Sequence, residues 1–146
     1  MVGEQNEREE ALDLGPLQRA LERCTEGLLL LRERPGESII RDGVIQRFEF
    51  TYELAHKTLR RYLRMTLATP GVLEEMAFQD LIRTGYAQGL LLHSWEQWRG
   101  FRQCRTNTSH AYDEVKAQRV VESVPAFVEE VRFLLAALRR RVDGAG

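Results

Sequence analysis

Residues 105–112 read RTNTSHAY: an Arg, four small polar residues, a His, and a Tyr two places further on. Arginine is the side chain that grips a phosphate through two parallel hydrogen bonds, and histidine titrates near neutrality, so it can take or give a proton. Brought together, Arg105 and His110 suffice for RNA cleavage without a metal. His110 would serve as base toward a 2′-hydroxyl or as acid toward the leaving oxygen, while Arg105 steadies the phosphate. Five residues apart on an unbroken helix the two side chains are rotated by roughly 140° and share no face. The chemistry therefore needs a turn between them. Thr106, Asn107 and Ser109 suit one, because short polar side chains bond to neighbouring backbone and can support a bound phosphate. An Arg105 that caps the end of one helix and a His110 in the solvated start of the next account for the same string, and spacing alone does not separate the two.

Other constellations carry less. Glu53-Leu54-Ala55-His56 has the Glu-x-x-His spacing of di-iron four-helix bundles. Those sites need two such motifs and two further carboxylates, and neither His93 nor His110 has a Glu three residues before it. No metal site is expected. Glu53 is better placed as an i,i+4 partner of Lys57, with Glu49 one turn earlier on the same stripe; carboxylates facing inward would need cations, and Arg is plentiful. Lys57, Arg60, Arg61 and Arg64 form a basic run without an acid, suited to RNA phosphates or an acidic partner, or else a solvated helix face. Trp95 and Trp98 fit core packing or a subunit interface better than base stacking. No glycine-rich phosphate loop, Ser-His-Asp set or zinc cluster is present, and no cofactor is expected.

The elements that must position these residues are helical. Gly15-Pro16 opens a helix whose stripe is Leu17, Leu21, Cys24, Leu28 and Leu31, and Pro35-Gly36 stops it. A long second helix places Ile45, Phe48, Tyr52, Ala55, Leu59 and Tyr62 on one face, with Phe50 and Leu54 widening it, and ends at Thr69-Pro70-Gly71. A third is expected over about 72–87, broken by Gly89. Ser94-Trp95-Glu96-Gln97 fits a capping box for a fourth, ending near Cys104 or Arg105. A fifth runs from near His110 to Glu122, where Ser123-Val124-Pro125 either kinks it or starts a sixth. Phe127, Val131, Leu134, Leu135 and Leu138 stripe the last segment. Strand alternation and hairpin turns are missing. The expectation is an all-α, up-and-down bundle of five to six helices, one domain over 1–146 with residues 1–14 frayed.

The totals narrow the partners. With 146 residues and a formal charge of -1, no overall basic field attracts duplex nucleic acid, so any anion site is local. Only Lys57 and Lys116 are lysines among the 21 basic residues; Arg pairs with planar anions more specifically. Two cysteines without metal-ligand spacing suggest a reducing cytoplasm. The apolar runs are far short of a membrane span, and the first thirty residues are acidic and polar rather than signal-like, so a cytoplasmic protein with no membrane partner is expected.

RDGVIQRFEFTYELAHKTLRRYL at 41–63 and SWEQWRGFRQCRTNTSHAYDE at 94–114 resemble the two hallmark segments of the HEPN-fold proteins known as nucleotidyltransferase substrate-binding proteins. The resemblance runs from about residue 15 to 140. It implies a helical bundle, usually a homodimer, encoded beside a minimal nucleotidyltransferase and often forming a toxin–antitoxin pair with it. Family members with Arg-x4-His act as metal-independent ribonucleases at the dimer cleft, and the matching positions are Arg105 and His110. Some carry Arg-x4-His-x-Tyr, whose Tyr is adenylylated by the partner to silence the ribonuclease; Tyr112 matches it. Thr106 stands where the family usually has Asn, with Asn107 one place later, and His56 replaces a common Trp.

Overall fold

The computed structural model describes residues 12–67 and 76–144. Among them are five α-helices and no strand: α1 (Gly15–Glu33), α2 (Ser38–Thr66), α3 (Phe78–Ala87), α4 (Trp95–Asn107), a 3-10 turn (Thr108–His110) and α5 (Glu114–Gly144). The all-α bundle expected from periodicity is the fold observed. α1 lies along α2, α5 crosses α1, α2 and α4, and α3 sits against α2 and α4. No helix of the described residues is long and apolar enough to cross a membrane.

The predicted stripes form the core. Leu17, Leu21, Cys24, Leu28 and Leu31 of α1 are buried, as are Ile45, Phe48, Tyr52, Ala55 and Leu59 of α2. At the centre Phe127 of α5 is met edge-on by Phe48 (ring centroids 4.9 Å apart) and Phe101 (5.1 Å). Trp98 packs perpendicular to Phe101 at 5.3 Å. Such tilted ring pairs place the positive edge of one ring on the negative face of the next. Phe50 departs from expectation: it does not widen the buried face but projects away from it, 55% exposed.

Several boundaries also differ. The third helix begins at Phe78 rather than near 72; Met76 and Ala77 are not helical, and residues 72–75, like the Thr69-Pro70-Gly71 stop and most of the 1–14 segment, lie outside the described residues. Ser94 occupies the N-cap position of α4 with extended backbone, but its side chain makes no capping bond. The approach to α4 is held instead by Glu130. Its carboxylate, completely buried, accepts hydrogen bonds from the backbone N–H of Leu92 (2.7 Å) and His93 (3.0 Å) and from Trp98 Nε1 (2.6 Å). A carboxylate on a neighbouring helix thus holds the approach to α4, where the capping box was expected to do so.

α4 continues past Arg105 to Asn107, because the hydroxyls of Thr106 and Thr108 donate back to the carbonyls of Arg102 (3.2 Å) and Arg105 (2.7 Å) and keep the chain coiled. α5 starts at Glu114 rather than His110: Asp113 Oδ1 accepts from the N–H of Val115 (3.0 Å) and Lys116 (3.2 Å), which is N-cap geometry. From there α5 runs unbroken through Pro125, so there is no sixth helix among the described residues. Two glycines earn their places by geometry. Gly89 has φ +76°, and a Cβ at Gly85 would lie 3.0 Å from Leu59 Cδ2.

Replacing Glu130 by Ala should leave three donors without their acceptor, the Trp98 N–H buried among them, lowering stability by about 3 kcal/mol. Urea unfolding should show a lower midpoint with an unchanged slope, and Glu130→Gln, which keeps one acceptor oxygen, should lose less. An Ala variant with the wild-type midpoint would refute this role.

Candidate functional site

The last turn of α4 presents Arg105 to the outer side of α2. Its Nε donates to Glu53 Oε1 at 2.9 Å, and a terminal nitrogen lies 3.4 Å from Glu49 Oε1. Nη1 donates to Thr108 Oγ1 at 3.2 Å, and that hydroxyl in turn donates to the Arg105 carbonyl. Glu49 and Glu53 are one helical turn apart, a spacing at which like charges repel. The guanidinium between them removes that repulsion and ties α4 to α2.

Glu53 gathers further partners. His56 Nε2 lies 3.2 Å from its second oxygen and Lys57 Nζ 4.0 Å. Burial pushes the Glu53 carboxyl up, but hydrogen bonds from Arg105 and His56 and the nearby positive charge outweigh it, so the net pKa lies below the ordinary carboxylate value. His56 moves the other way from a salt-bridged histidine. Burial between Tyr52 (centroids 5.5 Å) and Phe78 (5.6 Å) lowers its pKa despite Glu53. At pH 7 His56 is thus neutral, gives Glu53 an Nε2–H, and leaves a buried Nδ1 without a partner. Arg105, at 2.9 Å against 4.0 Å for Lys57, is the nearer charged partner of Glu53.

His110 closes the 3-10 turn and faces the other way along the chain. Its Nδ1 lies 3.3 Å from the hydroxyl of Tyr112, with the two rings tilted at 73°. Tyr112 is 83% exposed, on a turn closed by the Asp113 N–H donating to the His110 carbonyl at 2.9 Å. Just beyond it Glu114 forms a two-pronged pair with Arg41, fastening the start of α5 to the start of α2.

The structure therefore unites His110 with Tyr112 and, separately, Arg105 with α2; no hydrogen bond joins Arg105 to His110 within the described chain. Thr106 is exposed and turned back onto its own helix, Asn107 is buried with Oδ1 accepting from Gln103 Nε2 at 3.4 Å, and Ser109 is exposed. Thr108 is the small polar residue that touches Arg105. Sequence reasoning missed it, and it assigned Glu53 chiefly to Lys57. The available clue was the acidic pair Glu49/Glu53, of which Lys57 at i+4 can serve only Glu53.

The bundle and its α4–α5 corner, carrying Arg-x4-His-x-Tyr, define a HEPN-fold helical domain of the nucleotidyltransferase-associated class. Residues 12–140 match the profile of the family described as "Nucleotidyltransferase substrate binding protein like", and the chain belongs to that family. It is 36% identical over 108 residues to a Haemophilus influenzae protein named "Probable ribonuclease HepT", a match covering 71% of this chain and 73% of the relative. It also resembles, at 29% identity and a TM-score of 0.81, a Haemophilus influenzae structure described as the fold of a substrate binding domain of a nucleotidyltransferase, over 87% of this chain and 99% of that one.

A histidine whose folded pKa is depressed leaves stability intact above its unfolded value and loses it as pH falls through that value toward the folded one. For His56 the loss should begin near pH 6.5; for Glu53, also depressed, it should begin near 4.5 and continue below. Urea midpoints measured downward from neutral pH should fall in two stages in the wild type, and His56→Phe should remove the upper stage. An upper stage that persists unchanged in His56→Phe would assign it elsewhere.

Proposed function

We propose that this protein is the substrate-binding and partner subunit of a minimal nucleotidyltransferase encoded nearby, acting as a cytoplasmic homodimer in a two-component, toxin–antitoxin-like pair. Family membership supports the nucleotidyltransferase connection. The observation that carries the reading is Tyr112: a phenol almost fully exposed on a firmly closed turn, where a second enzyme can reach it without unfolding a helix. In adenylylation the Tyr112 oxygen bonds to the α-phosphorus of ATP, pyrophosphate leaves, and the phenolic proton passes to solvent. The product turns the hydroxyl that now lies 3.3 Å from His110 Nδ1 into the ester oxygen of an anionic diester, which engages the imidazole and silences it.

The second reading is a metal-independent ribonuclease, with Arg105 and His110 as its catalytic pair and RNA as substrate. Its support is the orientation of Arg105 by Glu53 and Thr108, together with the name of the Haemophilus relative. Of the guanidinium contacts, the 3.4 Å approach to Glu49 is the loosest, so a phosphate enters on that edge while Nε stays fixed. His110 then takes the 2′-hydroxyl proton as that oxygen attacks phosphorus and the 5′-oxygen departs, or protonates the departing oxygen. Thr106, Asn107 and Ser109 serve as the polar surround of the turn. The two readings are compatible, since the first switches off the second.

Arg105→Ala and His110→Ala should each lower RNA cleavage by about 100-fold or more with helical circular dichroism unchanged. Equal cleavage by wild type and both variants would dismiss the ribonuclease. Incubation with the co-purifying nucleotidyltransferase and labelled ATP should label the wild type but not Tyr112→Phe; a labelled Phe variant would show that the acceptor is another residue.

A further inference from the structure

Beside the Arg105 site, α1 and α2 enclose a cavity of about 430 Å³, of the size that holds a small ligand. Its apolar surface comes from Pro16, Ala20, Leu54 and Phe50, the last being the aromatic residue that projects away from the core face. Arg19 and Arg23 of α1 and Arg47 of α2 surround it, and Glu53 forms the edge shared with the Arg105 bridge. Arg47 is preset: one terminal nitrogen donates to the Arg23 carbonyl at 2.7 Å, which holds the guanidinium at the cavity wall. Arg19 and Arg23 make no ion pair among the described residues. The one acid in the lining, Glu53, is already neutralised by Arg105.

A flat exposed ring encircled by three guanidinium groups is complementary to a molecule that is planar at one end and anionic at the other. A second copy of the chain docking here through a two-fold axis would set the same cations against one another. We propose that this cavity is a nucleotide subsite: the base stacks on Phe50 against Leu54, and the phosphate is held by Arg19, Arg23 and Arg47. Because Glu53 belongs to both sites, the nucleotide seated here is the neighbour of the phosphate that Arg105 grips, so a single RNA strand crosses from one to the other. That adjacency rests on the ribonuclease reading; nucleotide binding in the cavity does not.

The test uses the full-length protein and a short fluorescent single-stranded DNA, which lacks the 2′-hydroxyl and so binds without being cut. Fluorescence anisotropy should show Phe50→Ala binding about tenfold more weakly. An Arg19→Ala/Arg23→Ala double variant should bind several-fold more weakly and with a shallower dependence on salt. Leu29→Ala, an exposed apolar change outside the cavity, should bind as wild type. AMP should compete with the DNA for the wild type and compete poorly for Phe50→Ala. Wild-type affinity in Phe50→Ala and the double variant, or no binding by the wild type, would overturn the subsite. So would a Phe50→Ala protein that changes its association state on gel filtration, because the groove would then be a subunit contact. Cleavage assays on RNA separate the two ideas: if Arg105→Ala cuts as well as wild type while the Phe50 effect on binding remains, the ribonuclease reading fails and the subsite stands.

Discussion

A single buried carboxylate sets the geometry on which the site depends. Glu130 is withdrawn from water, which is costly for an ionised group, and that cost is offset only because three N–H donors converge on it. Two come from the backbone just ahead of α4 and the third from the indole of Trp98, inside its first turn. The start of α4 is thereby fixed in position and in rotation against α5. Rotation is what matters at the other end, since Arg105 lies seven residues beyond Trp98, close to two helical turns, and so on nearly the same side. The register set at Glu130 is therefore carried along α4 to the point where Arg105 meets α2.

There the structure uses charge in a different way. The contact of Arg105 with Glu49 and Glu53 is partly open to solvent, so its contribution to stability is modest. Its value lies in direction. A guanidinium is a long, mobile group, and bonds on Nε and Nη1 from two different elements leave it few orientations. His56 enters as a neutral donor to the same carboxylate, wedged between the rings of Tyr52 and Phe78, so it packs as an aromatic and still hydrogen-bonds to Glu53.

What could be read beforehand follows from range. Helix number, the core stripes of α1 and α2 and the helical class are periodic signals spread over many residues, and they held. The failures were local or long-range. Phe50 has the composition of a core residue, but it lies two residues from Phe48, about 200° around α2, and so projects from the opposite side. The capping box at Ser94 was a sound local pattern that does not form; the approach to α4 is held by Glu130, thirty-six residues away in sequence, and nothing in a single chain announces such a partner. The bond from Arg105 to Glu53 spans fifty-two residues; the acids and the Arg were visible, their pairing was not. At the corner the hydroxyls of Thr106 and Thr108 prolonged α4, where their composition suggested an immediate turn.

Pro125 lies a little over a third of the way along α5 and cannot donate to the carbonyl of Val121, so one rung of the helical ladder is missing there. On one side of it stand the Asp113 cap and the corner with His110 and Tyr112; on the other stands Glu130, clamped to α4. The helix is thus two levers joined by a softer link. That link separates the capped corner from the carboxylate clamp, so the two stretches of α5 are held by independent sets of hydrogen bonds.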